Sequence, residues 1–230
     1  MNIVCSICAR GGSKGFKNKN IADLLGRPVL AWSIQHAREV AEISSIFVST
    51  DSDDIMRCAI DWGAEVLFRR PSELASDTAA KWDVWRHALV EYERIKGEKV
   101  DVLIDLDCTS PLREPSDIKA ALEQFIDSGA DLVFSVCEAR KNPYFNLVEP
   151  TASGLRLSKQ LTTKIVRRQD VPPVFEHVAS IYVIRRDYLL SASGMLEGRA
   201  LGYDIGPAKS FDIDTELDFK IISMLLSEKS

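Results

Sequence analysis

Apolar runs that alternate with helix-patterned stretches constrain this chain more than any other feature. Residues 100–106 (VDVLIDL) and 131–137 (DLVFSVC) are continuous apolar runs bounded by polar turns. Such runs suit central parallel strands covered on both faces. Residues 3–9 (IVCSICA) read as a buried strand, 44–50 (SSIFVST) and 64–69 (AEVLFR) as β-rich segments, and 179–185 (ASIYVIR) as a late return to strand. Helix patterns lie between them. Pro28 opens one, with Leu30, Ile34 and Ala37 at helical spacing, and Asp51 to Asp54 fit the start of a second. Trp82, Trp85, Leu89 and Tyr92 mark a third, as a core stripe rather than a base-stacking platform. Pro115 opens a fourth along Ile118, Ala121, Leu122, Phe125 and Ile126. A last helix over 215–228 is expected to turn Leu217, Ile221, Ile222 and Leu225 inward.

This order predicts an α/β fold, doubly wound on a mostly parallel sheet. Ligands in such sheets bind beyond the carboxyl ends of the strands. The loop after residue 9, Asp51, Asp107 and the segment after Cys137 are therefore expected to gather at one rim. The alternation breaks over 140–178, where Pro143, Pro150, Pro172 and Pro173 mix with short polar pieces. That stretch is read as an inserted lobe within a single domain spanning 1–230. The chain has 230 residues, 46% of them hydrophobic, enough for one sizeable core.

The first rim loop carries the strongest chemical signal. Arg10, Lys14, Lys17 and Lys19 are interleaved with Gly11, Gly12, Ser13 and Gly15. Glycines let backbone approach a ligand closely, and exposed N–H groups with fixed cations suit a polyanion such as a triphosphate. The spacing matches neither the Walker A loop nor the dinucleotide fingerprint, which disfavours P-loop ATPases and NAD enzymes. A solvated surface loop is the alternative. The net charge of −5 argues against general nucleic-acid binding. No apolar run reaches the length of a membrane span, and the first residues show no signal pattern, so the expectation is a cytoplasmic protein without membrane contact. The five cysteines do not suggest a disulfide framework, and Cys5 and Cys8 fall on opposite faces of one strand as core thiols.

Other clusters follow. Asp212 and Asp214 stand two apart on extended chain, on one face and roughly 6–7 Å from each other. Two hard oxygen ligands suit Mg²⁺, which completes its shell with water and phosphates. Capping of the last helix is the competing role for Asp214, although Thr215 with Asp218 forms a capping box of its own. Asp107, Thr109 and Ser110 follow a buried strand; Arg70 precedes Pro71 and either reaches a nucleotide or lies on the surface. Arg167, Arg168 and Gln169 form a cluster suited to a carboxylate, or a solvated charge patch. His36 and His87 read as structural, and His177 stays open.

Taken in order, the strings ARGGSKGFKNKN, RPSELASDTA, TSPLR, RQD-x-P, SIYVI and DIDTELDF resemble the acylneuraminate cytidylyltransferases, the CMP-sialic acid synthetases, over nearly the whole chain. The resemblance implies a Rossmann-like nucleotide-diphospho-sugar transferase fold whose small inserted lobe serves dimerisation and substrate binding. It also implies activation of a 3-deoxy-2-ulosonic acid by CTP, giving a CMP-sugar and pyrophosphate. The anomeric hydroxyl attacks the α-phosphorus directly, assisted by Mg²⁺. Carried over, Arg10, Gly11, Gly12, Ser13, Lys14, Lys19 and Asn20 hold the nucleotide, with Arg70 and Lys81 beside it. Asp212 and Asp214 hold the metal and, with Lys19 and Arg10, are the expected catalytic set. Arg168, Gln169 and Tyr182 face a sialic-acid-like sugar acid, and the family's dimeric habit implies a homodimer.

The chain departs from the sialic-acid pattern at several of these positions. Asp107-Cys108 replaces the Gln-Pro common before TSPLR, and a carboxylate there can join the metal shell and the nucleotide site, as a corresponding aspartate does in ketodeoxyoctonate cytidylyltransferases. Lys81 stands where a small polar residue usually contacts cytosine. Phe145 occupies the position of a substrate-lobe lysine, and Val178-Ala179-Ser180 replaces Asn-Gly-Ala. The last two changes point to a bacterial-type substrate such as legionaminic, pseudaminic or another modified nonulosonic acid. The rival readings are a nucleotidyltransferase with a sugar- or alcohol-phosphate acceptor, and a nucleotide-binding regulator without catalysis.

Overall fold

Residues 1–12, 15–162 and 167–228 are described by a computed structural model, with the Arg168 side chain left out. In chain order the strands are β1 (Ile3–Cys8), β2 (Asp23–Leu24), β3 (Arg27–Pro28), β4 (Ser45–Ser49), β5 (Val102–Leu106), β6 (Leu132–Glu138), β7 (Val148–Thr151), β8 (Gly154–Leu157), β9 (Phe175–Arg185) and β10 (Ala200–Asp204). The helices are α1 (Val29–Arg38), α2 (Asp53–Asp61), α3 (Lys81–Lys96), α4 (Pro115–Ser128), α5 (Arg186–Ser191) and α6 (Glu216–Ser227). A six-stranded sheet runs β10-β6-β9-β5-β1-β4. Within it β1 is parallel to β4 and β5, β10 is parallel to β6, and β9 lies antiparallel between β5 and β6. The fold is thus α/β on a mostly parallel sheet, as the alternation predicts.

Successive side chains on each strand part to the two faces. On one face Ile3, Cys5, Ile7, Ile104 and Leu106 pack with Ile34 of α1, Ala59 of α2 and Ile118, Leu122 and Phe125 of α4. On the other, Val4, Phe47, Leu103, Tyr182 and Ile184 meet Trp82, Trp85, Leu89 and Tyr92 of α3 and Leu189 of α5. Each fully buried Leu or Ile contributes roughly 1.5–3 kcal/mol by leaving water. A third cluster joins Leu24, Val29, Leu112, Ile213, Ile222 and Leu226, with Phe16 and Phe219 against it. This last cluster pins α6 and the segment before it onto the loop that follows β1.

Several expectations are corrected. Residues 64–69 pair with the sheet only through isolated bridges from Glu65 to Phe47 and from Arg69 to Thr50. The runs at 100–106 and 131–137 each have a parallel neighbour on one side and the antiparallel β9 on the other. Leu217 is 65% exposed, because the inward face of α6 runs through Ile222 and Leu226. The stretch after β6 carries the β7–β8 hairpin outside the main sheet. Among the described residues no helix is long and apolar enough to cross a membrane.

Candidate functional site

A cleft of about 500 Å³ opens at the carboxyl end of β1 and β5. Segments distant in sequence meet there. Arg10, Gly15, Lys19 and Asn20 come from the loop after β1, and Asp77 from the loop before α3. Asp107, Cys108 and Thr109 follow β5; Asp212, Asp214 and Thr215 precede α6. The cationic loop and the acidic pair therefore share one cavity.

Local bonds hold these segments together. Lys19 Nζ donates to the Ile213 carbonyl at 2.6 Å and to Asp214 Oδ1 at 2.9 Å. The Ile213 N–H donates to the Thr109 carbonyl at 2.9 Å, and its side chain is fully buried, which turns its two acidic neighbours the other way. Buried Asn20 donates to the Arg10 carbonyl at 3.0 Å and accepts from Cys108 Sγ at 3.1 Å. At Gly15 a Cβ would lie 2.5 Å from the Asp214 carbonyl oxygen, so only glycine allows this approach. Thr215 caps α6 in a reciprocal box with Asp218, which leaves capping to Thr215 rather than Asp214.

The turn after β5 is anchored by Arg113, a fully buried cation. Its guanidinium donates to the carbonyls of Ser110 (2.9 Å), Ser180 (3.2 Å) and Asp107 (2.7 Å), and to the Ser33 hydroxyl. Asp107 is thereby fixed at the cleft wall. Its Oδ2 accepts from Lys81 Nζ at 2.6 Å, and its Oδ1 from Thr109 Oγ1 at 3.0 Å. Burial opposes its charge, but Lys81 and these hydrogen bonds outweigh it and hold the carboxyl below its usual range. Asp212 is shifted the other way: partial burial, with Asp214 and Asp107 nearby, raises its proton affinity.

The charge balance of the cleft bears on what it can hold. Arg10 pairs with Asp77 at 2.7 Å and Lys19 with Asp214 at 2.9 Å. The lining thus sets Arg10 and Lys19 against Asp77, Asp107, Asp212 and Asp214. Among these described residues a bare triphosphate would meet more acid than base. A divalent cation entering with it would offset that repulsion, and Asp212 and Asp214 bring two of these carboxylates to one wall of the cleft. Among the described residues no three His, Cys, Asp or Glu side chains form a ready metal cage. Asp212 and Asp214 fit Mg²⁺ instead as a partial shell that phosphate oxygens and water complete.

Other expected site residues lie elsewhere. The Gly11 N–H donates to Asp51 Oδ1 at 3.0 Å, and neither Gly11 nor Gly12 lines the cleft. Ser13 and Lys14 fall outside the described residues. Arg70 is buried behind the cleft, with Nε 3.1 Å from Ser49 Oγ and Nη2 on the Ser49 carbonyl. Tyr182 is a core residue, 1% exposed, its ring 4.6 Å from that of Trp85 and its hydroxyl 3.0 Å from His177 Nε2. Lys81 lies against Tyr182 and Asp107 rather than on the cleft surface. The Asp107 carboxylate lines the cleft paired with Lys81, as that of Asp214 is paired with Lys19. Phe145 joins the Asn142 turn through its N–H, at 3.0 Å from the Asn142 carbonyl.

Two neighbouring cavities extend the site. One of about 630 Å³ shares Asp212 with the cleft and runs past Phe211 and Asp204 to Glu138, Ala139 and Arg140. The next, of about 370 Å³, also begins at Glu138 and Ala139 and is lined by Gln169 and Pro172. Asp212 and Gln169 thus belong to cavities that share the lining residues Glu138 and Ala139. The sequence reading does not single out Asp77, takes Cys8 as a core thiol, and names Gly15 only as one glycine of the cationic loop. Asp77 lies inside the SELASDTA string, and its acidic charge alone gives no hint that it meets Arg10.

The chain is similar to several known proteins over nearly its whole length. The chain is 41% identical to the post-translational flagellin modification protein B of Campylobacter coli over 228 residues, covering 99% of this chain and 96% of that one. It is 42% identical over the same length to the CMP-N,N'-diacetyllegionaminic acid synthase of Campylobacter jejuni, again covering 99% and 96%. The fold matches a CMP:2-keto-3-deoxy-manno-octonic acid synthetase solved with CTP, at a TM-score of 0.74, 17% identity and full coverage of both chains. The family model described as cytidylyltransferase matches residues 4–229, and the chain belongs to that family.

Proposed function

We propose that this enzyme transfers the cytidylyl group of CTP to the anomeric hydroxyl of a 3-deoxy-2-ulosonic acid of the nonulosonic type. The observation that supports this most is the meeting of Arg10 and Lys19 with Asp212 and Asp214 in one cleft. Relatives more than 40% identical that include a CMP-diacetyllegionaminic acid synthase direct the choice of acceptor to modified nonulosonic acids.

In this reading the triphosphate lies along Arg10 and Lys19, and Arg10 exchanges Asp77 for phosphate. Asp212 and Asp214 hold Mg²⁺, which when bound neutralises phosphate charge and favours ionisation of the attacking hydroxyl. The acceptor occupies the cavity beyond Asp212, with Gln169 at its far end; Arg168, whose side chain lies outside the described residues, is the residue that the resemblance implies for its carboxylate. The hydroxyl oxygen then forms a bond to the α-phosphorus, the α–β bridging P–O bond breaks, and pyrophosphate leaves. The protein aligns the two substrates and compensates charge rather than forming a covalent intermediate. We assign the reaction to the cytoplasm, where CTP is made.

The β7–β8 hairpin carries exposed apolar side chains at Val148 (53%) and Leu155 (73%). We assign this inserted lobe to a homodimer contact.

Pyrophosphate release with a panel of nucleoside triphosphates and acceptors tests the function. Release with CTP that requires a free 2-ulosonic acid is the expected result. Release only with a phosphorylated acceptor, or with none, overturns it.

A further inference from the structure

Lys81, Asp105 and Asp107 form a cluster at the carboxyl end of β5 with an uneven division of bonds. Asp105 is fully buried. Its Oδ1 accepts from the Ser6 hydroxyl at 2.7 Å, while Oδ2 has no hydrogen-bond partner. Trp85 Nε1 is also buried outside hydrogen-bonding geometry; burial raises the proton affinity of Asp105, and Lys81, Ser6 and Trp85 each work against that rise. Lys81 Nζ stands 2.6 Å from Asp107 Oδ2 but 3.8 Å from Asp105 Oδ2. A single ammonium therefore serves two carboxylates, and only the one at the cleft is bonded. Leaving a buried polar atom unbonded carries a penalty, so the second position is a prepared seat rather than a filled one.

Asp107 lines the cleft, and its Oδ2 is turned to Lys81 instead. We propose that Lys81 is a two-seat cation: it holds Asp107 while the cleft is empty and passes to Asp105 when a divalent cation and CTP engage Asp107. Asp105 is then a positioning residue for the reaction, although it never touches substrate. The movement is small, from 3.8 Å to the roughly 2.8 Å of a charge-assisted hydrogen bond. Lys81 Nζ lies 4.3 Å from the Tyr182 ring centre and 5.2 Å from that of Trp85, a surface along which a cation shifts without losing its aromatic contacts. The exchange releases one negative charge to the cleft only when positive charge arrives there. The inference rests on the cytidylyltransferase reading, since it needs CTP and a divalent cation in the cleft.

Calorimetric titration of CTP with Mg²⁺ and with chelator, on the full chain, reads the exchange without turnover. The wild type is expected to bind CTP more tightly with Mg²⁺. In Asp105→Asn the second seat has lost its charge, and the Mg²⁺-dependent gain is expected to fall at least tenfold, with binding under chelator changed less than threefold. The double variant Asp105→Asn, Lys81→Met frees Asp107 without a second seat, so most of the gain returns. A purely structural role for Asp105 gives no such rescue. Lys81→Met alone, at a partly exposed side chain, keeps the gain and covers the case in which Asp105→Asn does not fold. Full gain in a folded Asp105→Asn, no rescue in the double variant, or loss of the gain in Lys81→Met overturns the proposal. A wild type that binds no CTP sinks the cytidylyltransferase reading itself, which is a distinct result.

Discussion

Gly15 occupies a position that admits no side chain, because a Cβ would collide with the Asp214 carbonyl. In Gly15→Ala the loop bearing Lys19 must part from the segment bearing Asp214. Overpacking of this kind costs about 1–3 kcal/mol. If the loop holds CTP, the affinity measured by calorimetry falls at least ~10-fold, about 1.4 kcal/mol; an unchanged affinity detaches the loop from the nucleotide. Asp214 makes a sharper case. It is exposed, and capping of α6 falls to Thr215, so Asp214→Asn is expected to melt within a degree or two of the wild type. Turnover in the same variant is expected to drop at least ~100-fold, equivalent to about 2.7 kcal/mol of barrier. Equal turnover in the two proteins removes the metal role from Asp214.

Between elements, charge pairing adds a pH-dependent term to stability. Glu93 of α3 takes a forked pair from Arg186 at the start of α5, at 2.7 and 2.9 Å, and a third bond from the Val100 N–H at 2.9 Å. Burial works against the Glu93 charge, but these donors prevail and lower its pKa below 4.5. A carboxyl depressed in the folded state stabilises it above the unfolded pKa and stops doing so as pH falls through the folded one. Glu93→Gln is therefore expected to cost about 1–3 kcal/mol at pH 7, with the gap to wild type closing steadily below pH 4.5. Denaturant melts across that range check it; a gap independent of pH contradicts the assignment. At this scale the sequence is legible where apolar runs are long. Strands β1, β4, β5 and β6 announce themselves in that way. Strand direction does not, because the alternation of residues along β9 is the same whichever way it runs. Strand β10 escapes because it is a short edge strand with Gly202 packed on the Val136 side chain, 2.7 Å from where a Cβ would lie.

In the whole molecule, the site was legible to the extent that its parts are short strings. The loop carrying Arg10 and Lys19 and the pair Asp212 and Asp214 converge as expected, since each lies next to an element that the pattern already places. Motif order says nothing of depth, however, and Arg70 and Tyr182 prove to be buried supports behind the cleft. The bond from Lys81 to Asp107 spans 26 positions across α3 and β5, and no local pattern foretells it. The hairpin is the remaining large-scale feature. If it forms the dimer contact, Leu155→Asp shifts sedimentation from dimer to monomer; a monomeric wild type, or a variant that stays dimeric, excludes that contact. The most direct test of the central claim is anomalous diffraction from crystals grown with CTP and Mn²⁺ in place of Mg²⁺. A manganese peak between Asp212 and Asp214, with the triphosphate along Arg10 and Lys19, is the expected result. A nucleotide bound outside that cleft, or a metal held away from both carboxylates, would contradict it.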